Sequence, residues 1–180
     1  MTNFLYMRGE NGASGKYSTT GLLEMIQSIG NTKEMKMIEI GSYIGESTTI
    51  FAENFKKVIA IDPHQTYHEI DENKYAPSHL VYDEFIRNIS KYDNIRHIRK
   101  TSDDAIIEIN EKFDFIYIDG LHTYEQVKKD ILNYKDLIKV GGIIGGHDYL
   151  ENWFGVKQAV DEILGCPDFT FSDSSWYKKI

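Results

Sequence analysis

A chain of 180 residues that is 41% hydrophobic and 13% aromatic excludes a disordered or low-complexity protein and predicts one globular domain over residues 1–180. The formal net charge of −8 argues against nucleic acid or an anionic membrane surface as a partner, because phosphate binding relies on clustered lysine and arginine. No apolar stretch is long enough for a signal peptide or a membrane span, and the single cysteine cannot form an internal disulfide, so we expect a cytoplasmic location.

The first half of the chain alternates between helical patterns and short apolar runs. Leucine and isoleucine recur at helical spacing over 18–29, with Gly30 as the predicted end of that helix, and we predict an N-terminal helical segment over residues 1–34. The segment 63–94 is the one sizeable insertion and is long enough to act as a lid. In chain order we predict a strand over 35–40, a helix over 48–55, a strand over 58–61, a helix over 77–92 and a strand over 95–99.

The second half continues the same alternation. Residues 113–118 are apolar at nearly every position, which is typical of a strand covered on both faces of a parallel sheet. From 123 to 138 the apolar residues recur at helical spacing, and Gly141 and Gly142 are predicted to end this helix. The remaining predicted elements are a short helix over 102–110 with Ser102 as its candidate cap, a fifth strand from 143, a helix over 156–163 and a C-terminal hairpin around 172–174.

Five alternations of strand and helix predict an α/β fold in which right-handed crossovers join a parallel sheet. Ligands of such sheets bind beyond the carboxyl ends of the strands. Polar, acidic or glycine residues stand at all five of these ends: Glu39, Gly41 and Gly45; Asp62; Ser102 and Asp103; Asp119; and His147 with Asp148. The carboxyl edge of the sheet is therefore the predicted site.

The segment IEIGSYIGEST places Gly41 and Gly45 between a strand and a helix. Its spacing is not the dinucleotide fingerprint G-x-G-x-x-G, because Tyr43 stands where the second glycine would let a pyrophosphate approach. Asp62 follows the next strand about 20 residues later, where a carboxylate can accept both hydroxyls of a ribose. Together these features favour a nucleoside-type ligand, and glycines that only shape a tight turn are the open alternative.

Five segments carry a resemblance to a known family: IEIGSYIGEST, VIAIDPH, RKTSDDAI, FDFIYIDGLHTYEQVKKDI and LIKVGGIIGGHDY, in that order. From about residue 35 to 164 the chain resembles class I S-adenosylmethionine-dependent methyltransferases. The last two segments, with GVKQAVDEI after them, are similar to O-methyltransferases of the macrocin and catechol type and to their short bacterial relatives. The resemblance implies a three-layer Rossmann-like sandwich with a mostly parallel seven-stranded sheet and a C-terminal antiparallel hairpin.

The resemblance also implies roles for individual residues. It places S-adenosylmethionine against Glu39, Gly41, Ser42, Gly45, Ser47, Asp62, Ser102, Asp103 and Asp119. It places Mg²⁺ or another divalent cation at Asp119, His147 and Asp148. This chain has His147-Asp148 where the catechol type has Asp-Asn, and His122 where that type has a lysine. Histidine suits Mg²⁺ poorly, since that ion prefers oxygen ligands.

A hydroxyl acceptor must lose its proton during methyl transfer, and an imidazole titrates near working pH. Asp119, His122 and His147 are therefore the candidate catalytic residues. Three structural alternatives stay open at this point: Asp119 caps the following helix, His122 only stabilises its turn, and His147 only orients Asp148.

These observations predict an enzyme, an S-adenosylmethionine-dependent methyltransferase that O-methylates a small hydroxylated acceptor such as a sugar or a secondary metabolite, with metal assistance. One alternative is a nicotinamide-dependent oxidoreductase, against which Tyr43 argues, and another is a non-catalytic nucleoside-binding module. The pair Trp153-Phe154 is a candidate wall for the acceptor, and a homodimer is a second way to complete the pocket.

Overall fold

A computed structural model describes residues 19–65 and 78–180. It contains one sheet with the strand order β3-β2-β1-β4-β5-β7-β6. Strands β1 to β5 are mutually parallel, and β7 pairs antiparallel with both β5 and β6. This architecture confirms the predicted fold class. The strands are β1 Lys36–Ile40, β2 Lys57–Ile61, β3 Ile95–Ile98, β4 Phe113–Ile118, β5 Ile138–Gly146, β6 Phe169–Thr170 and β7 Trp176–Lys179.

Helices cover both faces of the sheet. They are α1 Thr20–Ile29, α2 Glu46–Asn54, α3 Ser78–Ile89, α4 Ser102–Ala105, α5 Tyr124–Tyr134 and α6 Phe154–Leu164. One apolar cluster joins one face of the sheet to α5 and α6, and a second joins the opposite face to α1 and α2. Strand β4 contributes Ile116 and Ile118 to the first cluster and Phe115 and Tyr117 to the second, so it is buried on both faces as predicted.

The predicted helix over 123–138 is wrong at its C-terminal end. Helix α5 ends at Tyr134, a 3-10 turn follows, and Ile138 opens β5 opposite Phe113. Gly141 and Gly142 do not end a helix, because they lie inside β5, where the register shifts and Gly141 has a φ of +76°. The spacing of Ile138 fits a helical pattern, but pairing with β4 determines its conformation.

The predicted cap of the short helix after β3 is also wrong by one residue. Thr101 caps α4, since its hydroxyl oxygen accepts a hydrogen bond from the Asp104 amide at 3.2 Å. Ser102 instead stands in the first turn, where its hydroxyl is available for contacts with another helix. The helical part is shorter than predicted, with a 3-10 turn over Ile106–Glu108.

Some predictions fall partly outside the described residues. These predictions concern the start of the N-terminal segment 1–34 and the central part of the segment 63–94. The role of the segment 63–94 as a lid therefore stays a prediction. Within the ranges 19–65 and 78–180, no helix combines the length and the apolar character that crossing a membrane requires.

Candidate active site

The turn between β1 and α2, residues 41–45, is called the glycine turn here and passes close to the end of β4. Gly41 has a φ of +88°, and its amide donates to the Ile61 carbonyl at 2.8 Å. A Cβ at this position would lie 2.0 Å from the carbonyl oxygen of Asp119. Gly41 therefore meets both requirements that favour glycine, a left-handed conformation and a close backbone approach. Gly45 also has a positive φ and stands at the N-cap of α2.

Glu39 is fully buried at the end of β1. Its carboxylate accepts hydrogen bonds from the hydroxyls of Ser47 and Thr48, each at 2.5 Å. These bonds hold the first turn of α2 against the strand, which fixes the direction in which the helix leaves the glycine turn. The contact that we predicted between Glu39, Ser47 and the cofactor stays a prediction.

Asp62 connects the glycine turn to the loop after β2. Its carboxylate accepts the backbone N–H of Tyr43 at 2.8 Å and that of His64 at 2.7 Å. Next to this contact the hydroxyl of Ser42 is buried and has no hydrogen-bond partner within the part of the chain that the structure describes. A buried hydroxyl of this kind normally has a partner, so the turn fits a polar ligand such as the cofactor.

Ser102 and Asp103, which we predicted beside the adenine, point to different partners on α5. The Ser102 hydroxyl donates to Oδ1 of Asp130 at 2.6 Å. The Asp103 carboxylate lies 2.7 Å from Nζ of Lys129, on a half-exposed surface. Ser102 thus belongs to a buried network, whereas Asp103 forms an ion pair between two helices.

Asp130 is 1% exposed, and burial raises the pKa of its carboxyl from 3.8 to about 6. The hydrogen bonds from Ser102 and from Gln126, the latter at 3.0 Å, act in the opposite direction and favour the ionised form. Asp130 could not be singled out from the sequence, since an aspartate on an amphipathic helix is usually solvated.

Replacing Asp130 by asparagine should change how stability depends on pH. A folded-state pKa raised to about 6 means that the linked stabilisation is complete below the unfolded-state pKa and is lost as pH rises through 6. Relative to the wild type, D130N should therefore gain up to about 3 kcal/mol in its free energy of unfolding between pH 4 and pH 7.5. Urea unfolding at several pH values measures this gain. Glu125→Gln, at an exposed position on the same helix, is the control. The prediction would be contradicted if the difference in free energy of unfolding from the wild type were independent of pH for D130N as well as for E125Q.

Four side chains at the ends of β4 and β5 form one polar cluster. His122 Nε2 lies 3.4 Å from Oδ1 of Asp119 and 3.2 Å from Oδ2 of Asp148. His147 Nδ1 lies 3.1 Å from Oδ1 of Asp148 and 3.8 Å from Oδ1 of Asp119. Both imidazoles thus stand beside the same two carboxylates. The side chains are between 13% and 24% exposed, so a ligand can reach them.

The sheet positions this cluster. The Asp119 amide donates to Ile40 at the end of β1, and the His147 amide donates to Ile118 at the end of β4. Asp148 has a φ of +60°, which turns the chain sharply after β5. The adjacent strand ends therefore bring together two segments that are nearly 30 residues apart in sequence.

The contacts of Asp119, His122 and His147 bear on the structural roles that were left open for these residues. Thr123 caps α5 by accepting from the Gln126 amide, so the cap does not require Asp119. His122 reaches both carboxylates, and its ring lies 4.8 Å from the ring of Trp153. His147 contacts Asp148 and, through Nε2, the Ser174 hydroxyl at 3.4 Å. An orienting role for His147 is therefore compatible with these contacts.

The side chains of Asp119, His122 and Asp148 lie close enough together to bind one metal ion. Each offers one ligand atom, and these atoms lie within 4.8 Å of one another. Two carboxylate oxygens and one imidazole nitrogen form a donor set that fits a divalent cation. This set contains His122 in place of the His147 that we predicted as a ligand. Of the predicted acceptor wall, Trp153 packs on His122, while Phe154 is 66% exposed.

The chain is similar to a known protein family and to a viral protein. Residues 38–149 match the family described as "Methyltransferase domain". The chain is 28% identical over 156 residues to "Uncharacterized protein R132" of Acanthamoeba polyphaga mimivirus, an alignment that covers 78% of this chain and 65% of that protein. The chain therefore spans slightly less than two thirds of the length of that relative.

Solved structures of O-methyltransferases share the fold. The O-methyltransferase NovP superposes with a TM-score of 0.65 at 20% identity, covering 88% of this chain and 79% of that one. CalS11, a TDP-rhamnose 3′-O-methyltransferase of calicheamicin biosynthesis, superposes with a TM-score of 0.61 at 12% identity, covering 89% and 79%. Because the family match spans more than half of the 180 residues and the sheet order agrees with it, the chain belongs to the methyltransferase domain family, among the class I S-adenosylmethionine-dependent methyltransferases.

Proposed function

We propose that the chain transfers a methyl group from S-adenosylmethionine to a hydroxyl of a small acceptor, such as a sugar. The observation that carries this proposal is the cluster of Asp119, His122, His147 and Asp148 beside the glycine turn. A methyltransferase that acts on hydroxyls needs groups that remove a proton next to the cofactor, and the cluster supplies them. The O-methyltransferase activities named for NovP and CalS11 support the same reaction class.

In this proposal the turn after β1 and the loop after β2 bind the cofactor. The backbone around Gly41 and Gly45 approaches the amino-acid end, where the buried Ser42 hydroxyl can donate. Asp62 meets the ribose, since a carboxylate accepts from both of its hydroxyls. Ser102 borders the adenine from the end of β3. These residues align the methyl group with the acceptor, and such alignment supplies much of the rate in a one-step displacement.

A divalent cation would be held by Asp119, His122 and Asp148. When bound, such a cation supplies Lewis-acid chemistry that lowers the pKa of the acceptor hydroxyl. With His122 among the ligands, His147 is the side chain that accepts the proton, and its contacts with Asp148 and Ser174 hold the ring in place. Trp153 packs on His122 and shields that side of the acceptor.

The ligand set also predicts which cation works best. An imidazole nitrogen suits Mn²⁺, Co²⁺, Ni²⁺ or Zn²⁺ better than Mg²⁺, which prefers oxygen. We expect a chelator to lower turnover at least about tenfold and Mn²⁺ or Co²⁺ to restore it more fully than Mg²⁺ at equal concentration. The measurement is release of S-adenosylhomocysteine from the treated protein, using nucleotide-activated sugars and catechols as acceptors.

The outcomes separate the alternatives. Full turnover after chelation would remove the metal from the proposal but leave methyl transfer intact. Tight binding of S-adenosylmethionine without release of product on any acceptor would favour the non-catalytic nucleoside-binding module. Absence of cofactor binding at millimolar concentration would contradict the proposed function as a whole.

A further inference from the structure

His64 lies two residues after Asp62, and its side chain is enclosed. The residue is 2% exposed. Its ring lies against Tyr82 and Phe85 of α3, with centroids 5.2 and 4.7 Å away, and against His97 of β3 at 5.1 Å. The enclosing rings leave the imidazole little freedom to turn away from its polar contacts.

These contacts join two loops. Nε2 of His64 lies 2.8 Å from the carbonyl oxygen of Tyr43, in the glycine turn, and Nδ1 lies 3.1 Å from the carbonyl oxygen of Asp62. The backbone N–H of His64 donates to the Asp62 carboxylate at 2.7 Å. Both Tyr43 and His64 have positive φ angles, of 44° and 48°. Non-glycine residues adopt such angles at a cost, so the surrounding contacts must hold them there.

We propose that His64 is a positioning residue for the cofactor: its ring ties the glycine turn to the loop after β2 and thereby sets the position of the Asp62 carboxylate. The inference rests on the proposed function, in which Asp62 meets the ribose. His64 itself is not a catalytic residue, because its ring is enclosed and its polar contacts are to the backbone.

The hydrogen-bonding capacity of the ring fits this role. Both ring nitrogens face carbonyl oxygens, which can only accept hydrogen bonds. A neutral imidazole carries one N–H and can donate to one carbonyl, whereas the imidazolium donates to both. In either protonation state the ring therefore donates to at least one of these two carbonyls.

The titratable and charged neighbours are few among the described residues. Asp62 Oδ1 lies 3.8 Å from Nδ1 of His64. Across the ring stand Tyr82, which carries the Arg99 guanidinium on its face at 3.8 Å, and His97. Burial, and then the charge of His64, lower the pKa of His97 to about 4, so His97 stays neutral from pH 6 to pH 8.

The test is calorimetric titration of S-adenosylhomocysteine into the full chain, together with thermal unfolding of the free protein. His64→Asn should weaken binding of S-adenosylhomocysteine about tenfold, in line with the loss of one hydrogen bond that holds the two loops together. A variant that unfolds at a lower temperature but binds as tightly as the wild type would show a structural role only and would overturn the inference. Asparagine tolerates a positive φ and keeps the backbone N–H to Asp62, so the variant changes the ring alone.

His79→Asn is the matched control, because His79 is exposed on the same helix that encloses the His64 ring. H79N should bind S-adenosylhomocysteine as tightly as the wild type. Equal affinity of H64N and the wild type would overturn the inference, and absence of binding by the wild type would instead contradict the proposed function.

If H64N does not fold, nitrogen NMR of the His64 ring in the wild type decides the question. We expect a ring N–H of His64 that exchanges slowly with solvent in the complex with S-adenosylhomocysteine. A ring with no N–H protected from exchange in that complex would overturn the inference.

Discussion

Replacing Asp148 by asparagine should lower turnover at least about 100-fold, because it removes a carboxylate that faces both imidazoles of the cluster. Asparagine is chosen because Asp148 has a φ of +60°, which asparagine tolerates better than alanine does. Binding of S-adenosylhomocysteine should change less than threefold, on the order of 0.5 kcal/mol, since Asp148 is not among the predicted cofactor contacts. Turnover with and without added Mn²⁺, together with calorimetry, measures both quantities.

Glu151→Gln is the matched control for this experiment. Glu151 lies three residues after Asp148, and its side chain is 86% exposed, with Lys157 as an ion-pair partner at 3.5 Å. Its replacement removes the same charge without touching the cluster, so turnover should stay within about twofold of the wild type. Equal activity of D148N and E151Q would remove Asp148 from the site.

Replacing Gly41 by alanine should disrupt both the fold and cofactor binding. The new Cβ would lie 2.0 Å from the Asp119 carbonyl oxygen and 2.8 Å from the Gly120 Cα, so the end of β4 must move. The positive φ adds its own cost. We expect a loss of about 3 kcal/mol or more in the free energy of unfolding, together with a loss of affinity for S-adenosylhomocysteine of at least about tenfold. Thermal unfolding and calorimetry test this expectation.

Gly141→Ala separates the two causes of the Gly41 effect. Gly141 also has a positive φ, of 76°, but within residues 19–65 and 78–180 no heavy atom beyond Gly141 and its two chain neighbours lies within 4 Å of the position its Cβ would take. G141A should therefore lose only about 1 kcal/mol in its free energy of unfolding, the cost of the positive φ alone, and should keep full cofactor affinity. If G41A bound the cofactor as tightly as G141A, close approach of the glycine turn to β4 would not be required for the site.

The sheet and most of its strand ends could be predicted because the signals are local. Strand β4 is apolar on both faces, and each parallel strand is followed by a polar residue at a position that the sheet geometry determines. The prediction for Ile138 was wrong for the same reason. Local spacing placed this residue in a helix, whereas pairing with Phe113 places it in β5. Local pattern alone does not report which strand a residue will pair with.

The contacts that hold the site together could not be predicted, because they join distant segments. Ser102 and Asp130 are 28 residues apart, and His64 and Tyr43 are 21 residues apart. In the sequence His64, like His68, His79 and His97, shows no metal-ligand spacing, which predicts a surface residue or a local hydrogen bond. Its burial follows from the packing of α3 on the loop after β2, which no periodicity reveals.

A crystal structure of the chain with S-adenosylhomocysteine and Mn²⁺, with anomalous data for the metal, tests the proposed site most directly. We predict the ribose beside Asp62, the adenine beside Ser102, and one anomalous peak between Asp119, His122 and Asp148. Density for the nucleoside away from the carboxyl ends of β1, β2 and β4 would contradict the site that we propose.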